Sequence, residues 1–134
     1  VALVFTAIVF ASLIVQRYVL SPREGAFPAA GSVLSFDGFI PVKDRKSVVL
    51  FYMKGCKYCE ASVDFHRRVV LSARQSNQQV LFVFPPKSSS LESYLTNLGF
   101  PIVTVITAEL SAIGVSGTPT IVITDGEGEI LGSW

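Results

Sequence analysis

Cys56 and Cys59 are the only cysteines in the chain, three positions apart in the run Lys54-Gly55-Cys56-Lys57-Tyr58-Cys59. A thiolate is the nucleophile of disulfide exchange, and a second thiol within reach resolves the mixed disulfide that the first one forms. If Cys56 sits just ahead of a helix and Cys59 in its first turn, both sulfurs fall on one side of the chain at bridging distance. At that position free backbone N–H groups and the helix dipole favour a negative sulfur on Cys56. Lys54 and Lys57 add positive charge, and Gly55 permits a sharp turn that keeps the sulfur open to a partner's backbone. Each unit of pKa lowering is worth about 1.4 kcal/mol of preference for the thiolate. Two cysteines are too few for a disulfide-stapled mini-protein or a four-thiolate zinc site. The expected redox group is therefore the Cys56–Cys59 pair itself, with no cofactor and no metal.

These thiols need a rigid platform. Val48 to Met53, directly upstream, is a continuous apolar and β-branched run, the pattern of a strand buried on both faces. Downstream, Glu60 to Arg74 carries Val63, Phe65, Val69, Val70 and Leu71 at helical spacing, with Asp64, His66, Arg67 and Arg68 expected on a solvated face. Val80 to Phe84 repeats the buried-strand pattern, and Ser88 to Leu98 reads as a helix stopped by Gly99. Ile102 to Ile106 is a short apolar run, Ala108 to Ile113 a short helix, and Thr120 to Thr124 a strand. Asp125-Gly126-Glu127-Gly128 turns the chain into a hairpin partner over Glu129 to Leu131. Asp37-Gly38 predicts a small hairpin within Ser32 to Ile40, and Lys43-Asp44-Arg45-Lys46 a solvated turn. Strands alternating with helices and closing on a hairpin indicate an α/β fold with a mixed central sheet flanked by helices.

The front of the chain is different. Val1 to Val15 holds no charge, and extension to Leu20 reaches the length of a membrane span, with Arg17 and Tyr18 suited to the interface. The reading is an uncleaved transmembrane anchor over residues 1–20, a linker over 21–32 and one domain over 33–134, located on the extracytoplasmic side. A cleaved signal peptide and a buried core helix are the alternatives. Arg17 and Arg23 pull against that orientation. The chain has 134 residues, half of them hydrophobic, and a formal net charge of +1. That is room for one well-packed domain, without the broad basic field of a nucleic-acid binder.

A second motif, Gly117-Thr118-Pro119-Thr120, precedes the apolar run Ile121-Val122-Ile123. Proline at the mouth of a strand signals an edge, a bulge or a cis bond. Together, C-x-x-C after a buried strand and Gly-Val-Ser-Gly-Thr-Pro-Thr before an apolar strand and Asp-Gly-Glu-Gly resemble the thioredoxin superfamily. Within it the likeness is to membrane-anchored, extracytoplasmic thioredoxin-like proteins that reduce disulfides, including those serving cytochrome c maturation. It spans roughly residues 33–134. The resemblance implies that Pro119 is cis and faces Cys56 and Cys59, and that the Thr118 backbone pairs with the substrate strand, with Gly55 and Tyr58 beside it. It implies a protein dithiol or disulfide as client and an upstream membrane or extracytoplasmic electron donor.

Three departures from the family pattern stand out. Leu50 occupies the position of a buried aspartate, Gly55 that of a tryptophan, and Lys57-Tyr58 matches neither Gly-Pro nor Pro-Pro. Proton transfer to Cys59 then falls to another group, water or Glu109. Lys87 to Pro101 is extra chain relative to the smallest members. No helix follows the last hairpin before Trp134, so a truncated domain is expected. Two other activities compete: a peroxiredoxin-like peroxidase, disfavoured because Met53 stands where a threonine is needed, and a copper-binding thioredoxin-like chaperone, for which further soft ligands are scarce.

Overall fold

The computed structural model describes residues 28–134. The expected anchor over 1–20 and most of the linker lie outside the described residues. Among the described residues, no helix is long and apolar enough to cross a membrane.

Five strands form one mixed sheet: β1 (Ser47–Phe51), β2 (Gln79–Phe84), β3 (Thr104–Thr107), β4 (Thr120–Thr124) and β5 (Ile130–Ser133). Their order is β3-β2-β1-β4-β5, with β1 at the centre. β2 runs parallel to both β1 and β3, while β4 is antiparallel to β1 and β5. The parallel pairs require crossovers, and helices supply them. α1 (Lys57–Ala61) and α2 (Val63–Gln75) link β1 to β2, and α3 (Leu91–Asn97) lies between β2 and β3. The turn from β4 to β5 is held by the Asp125 carboxylate, which accepts from the amides of Glu127 (3.0 Å) and Glu129 (2.8 Å).

Alternation along the central strands divides the core in two. Val48, Leu50, Phe82, Phe84 and Ile121 share one face with Tyr52, both cysteines and the buried side chains of α2 and α3. Val49, Phe51, Leu81, Val83 and Val122 point the other way, onto Leu34, Phe39 and Val115. This is why β1 and β2 read as unbroken apolar runs, since neither face meets water. Each large side chain so buried contributes on the order of 1.5–3 kcal/mol.

Three expectations need correction. The hairpin over Ser32 to Ile40 does not form: Val33 makes a single antiparallel bridge to Glu129. The turn at Asp37-Gly38 stacks Phe36 on Phe39 at 5.3 Å instead, because Leu34 and Phe39 gain more by closing the second core face than by pairing at an edge. The single helix after Cys59 is two helices, broken where the Ser62 amide bonds back to the carbonyls of Tyr58 and Cys59, both at 3.2 Å. The short helix after Ala108 shrinks to one 3₁₀ turn at Ser111–Ile113.

Candidate active site

β1 ends at Phe51, and Tyr52 to Gly55 carry the chain over the sheet's end to α1. Gly55 has φ +72°, the left-handed region, and a side chain there would meet nothing within 4 Å. Glycine is thus required by backbone conformation and leaves open space beside the thiol. Cys56 is the N-cap of α1, and its sulfur accepts the Cys59 amide at 3.2 Å. Both cysteines are reduced.

From the far side of the site comes the turn before β4, where the Thr118–Pro119 bond is cis. The Thr118 hydroxyl donates to the Cys56 sulfur at 3.3 Å, and the Cys56 thiol lies 3.3 Å from the Thr118 carbonyl. The sequence reading brought in the Thr118 backbone but not this hydroxyl. Tyr58 points away from the thiols and is 72% exposed, and Met53 is also exposed.

The two thiols are electrostatically unlike. Burial alone would raise the Cys56 pKa, but hydrogen bonds from Cys59, the Thr118 hydroxyl and the amides of Cys59 and Tyr58 outweigh it, and the net shift is downward. Cys59 is pushed up to about 12, chiefly by burial and then by its hydrogen bond to Cys56. Exposure follows the same division, 6% for Cys56 and none for Cys59. Cys56 is the thiolate that a partner can reach, and Cys59 is a protonated thiol behind it. Iodoacetamide at pH 7 is accordingly expected to add one group, on Cys56, with Cys59 labelled only after unfolding. Equal labelling of both in the folded protein, read by peptide mass, would contradict this assignment.

The surroundings of Cys59 hold residues that the sequence reading did not bring together. Leu50, where the family resemblance places an acid, is fully buried among apolar side chains. Glu109 is exposed, bonds Ser111, and borders a hollow with Phe36 and Ile113 on the opposite side of the sheet, so it does not serve Cys59. His66, expected in solvent, is only 4% exposed. Its spacing with Val63, Val70 and Ala73 puts it on the inward stripe of α2, and the Tyr52 hydroxyl provides the polar partner that makes burial tolerable. That spacing was the available signal. Tyr94 on α3 completes the wall: its hydroxyl is buried without a hydrogen-bond partner, and the Lys54 ammonium lies 5.9 Å from the ring centre. Among the described residues, no three histidine, cysteine or acidic side chains gather as a metal site would require.

No family model matches the chain, and no curated protein matches it in sequence. Its shape, however, has many counterparts. The thioredoxin domain of a thiol-disulfide oxidoreductase from Bacteroides vulgatus superposes with a TM-score of 0.64 at 16% identity, covering 78% of this chain and 87% of that one. A thiol:disulfide interchange protein from a Bacteroides species gives 0.61 at 16% identity, covering 78% and 80%. The exposed lipoprotein thioredoxin of Streptococcus pneumoniae gives 0.54 at 22% identity, covering 69% and 75%. With β1 central, two thiols at the start of α1 and a cis proline opposite them, the chain has the thioredoxin fold.

Proposed function

We propose that the chain is a thiol-disulfide oxidoreductase that reduces disulfides of client proteins on the extracytoplasmic side of a membrane, anchored there by residues 1–20. The observation that carries this reading is the convergence on one sulfur of the Cys59 amide at 3.2 Å and the Thr118 hydroxyl at 3.3 Å, both favouring the thiolate of Cys56. Extracytoplasmic placement is supported by the uncharged stretch Val1 to Val15 and by the likeness to a pneumococcal lipoprotein described as exposed. The reductive direction rests on the resemblance to reducing members of the superfamily.

In the reaction, the Cys56 thiolate attacks one sulfur of the client disulfide. A Cys56–client S–S bond forms, the client's own S–S bond breaks, and its other sulfur departs with the electron pair and takes up a proton. Cys59 then attacks the Cys56 sulfur, closing the Cys56–Cys59 disulfide and releasing the second client thiolate. The client gains two electrons and the pair loses two, so an upstream dithiol donor must restore it. Gly55 leaves room for the client strand beside Cys56, the Thr118 backbone and Pro119 receive it, and the exposed Tyr58 ring offers it apolar contact.

Cys59→Ser removes the resolving thiol and is expected to trap client proteins on Cys56 as adducts that dithiothreitol releases. Recovery of the same adducts from the Cys56→Ser/Cys59→Ser double variant, or of none from Cys59→Ser, would overturn the reading. A reduction potential near about −270 mV supports the reductive direction, and one near about −120 mV reverses it.

A further inference from the structure

The resolving step requires Cys59 to lose a proton, yet this thiol is fully buried and held neutral. Leu50 and the other core residues around it carry no carboxylate. Beside it, though, lies a polar pair. Tyr52 and Cys59 have no exposed surface and belong to one core cluster, and the Tyr52 hydroxyl shares a buried hydrogen bond with His66 Nδ1. The Met53 amide, next in the chain after Tyr52, is directed at the Cys59 sulfur, which holds the thiol against this end of β1. We propose that Tyr52 and His66 form the proton relay of Cys59. This inference rests on the oxidoreductase reading and adds the route by which its second step is made possible.

The pair is arranged to accept a proton. Burial lowers the His66 pKa, so the imidazole is neutral at pH 7 and its Nδ1 lone pair receives the Tyr52 hydroxyl, leaving the ring proton on Nε2. Burial raises the Tyr52 pKa, with Cys59 the next influence, so Tyr52 passes a proton on without resting as a phenolate. The other titratable groups facing the pair are Cys56 on α1 and Tyr94 on α3, with Glu60 beyond Tyr94. Tyr94 cannot substitute, because its hydroxyl has no partner to which a proton could be handed. Glu60 raises the Tyr94 pKa without meeting its hydroxyl in hydrogen-bond geometry, and its residue is exposed.

As Cys59 attacks, its proton moves to the Tyr52 oxygen while the Tyr52 proton moves to His66 Nδ1. The Cys59 thiolate forms the S–S bond to Cys56, and the Cys56–client bond breaks with its electron pair on the client sulfur, which is protonated by water. The imidazolium, disfavoured by burial, returns its proton to solvent. When the pair is reduced again, the same path reprotonates Cys59.

The test uses the reduced full chain mixed with one equivalent of Ellman's reagent, 5,5′-dithiobis(2-nitrobenzoate). Attack by Cys56 releases the first thionitrobenzoate, and attack by Cys59 releases the second. Tyr52→Phe and His66→Gln are expected to slow the second phase about tenfold or more, at or above the low end of what general acid–base catalysis supplies, and to leave the first within about twofold. Above pH 6.5 the wild-type second phase should level off, because neutral His66 is already the acceptor. In the variants it should climb about tenfold per pH unit, following the Cys59 thiolate alone. Tyr52→Phe keeps the ring and its packing, so a change in the second phase is separable from a folding defect. A second phase with wild-type rate and pH slope in both variants overturns the relay, as does equal slowing of both phases. A first phase missing from the unaltered protein overturns instead the oxidoreductase reading on which the relay rests.

Discussion

Cys56→Ser is expected to reduce insulin disulfides no faster than the dithiol donor does alone. The loss is complete because nothing else in the site can act in place of Cys56. A serine hydroxyl is not ionised near neutral pH and forms no S–S bond, so hydrogen bonds that stabilise a sulfur anion are left without one. An unperturbed cysteine is only a few per cent thiolate at pH 7. Cys56 exceeds that fraction because the Cys59 amide and the Thr118 hydroxyl both point at its sulfur, at 3.2 and 3.3 Å. Cys59 cannot step in, with no exposed surface and a pKa of about 12. Turbidity from precipitating insulin chains reads the result, and retention of a tenth of wild-type activity by Cys56→Ser would remove it as the attacking group.

Phe82→Ala is expected to destabilise the domain by about 3–5 kcal/mol. Phe82 lies on β2 opposite Leu50 on one side and Val105 on the other, and it is fully buried. Its ring packs edge-on against Tyr52 at 5.1 Å and Phe100 at 4.9 Å. Truncation leaves a void under the segment that carries the thiols, bordered by sheet backbone that cannot collapse to fill it. Set against a typical domain stability of about 5–15 kcal/mol, the loss brings the protein near its unfolding threshold. Urea titration followed by circular dichroism measures it. A change under about 1 kcal/mol would mean that the ring does not pack as described.

Both expectations draw on features that differ in how far the sequence discloses them. The apolar runs at Val48 to Met53 and Val80 to Phe84 disclosed the central strands, because a strand buried on both faces needs no alternation. Helix positions were legible for the same kind of reason, although their breaks were not: the interruption at Ser62 depends on how α1 and α2 pack, which local propensity does not encode. The Asp37-Gly38 signal identified a turn correctly and a hairpin wrongly. A turn is a property of adjacent residues, whereas the destination of its flanks depends on which distant surface most needs Leu34 and Phe39.

The site divides along the same line. Cys56 and Cys59 could be singled out from spacing and context alone, since both sit on one short local segment. Which thiol is acidic, and why, is decided by Thr118, which the fold brings from 62 positions away. The fate of His66 turned on tertiary structure still more directly. Read along its helix it sits among charged neighbours, but β1 places the Tyr52 hydroxyl where a buried imidazole can bond to it, and that contact reverses the expectation of a solvated side chain. By itself, then, the sequence determined the chemistry available, a dithiol on a strand-to-helix turn, because that chemistry lies in neighbouring residues. Tertiary structure decided the roles, because hydrogen bonding and burial at a sulfur or an imidazole come from groups far apart in the chain.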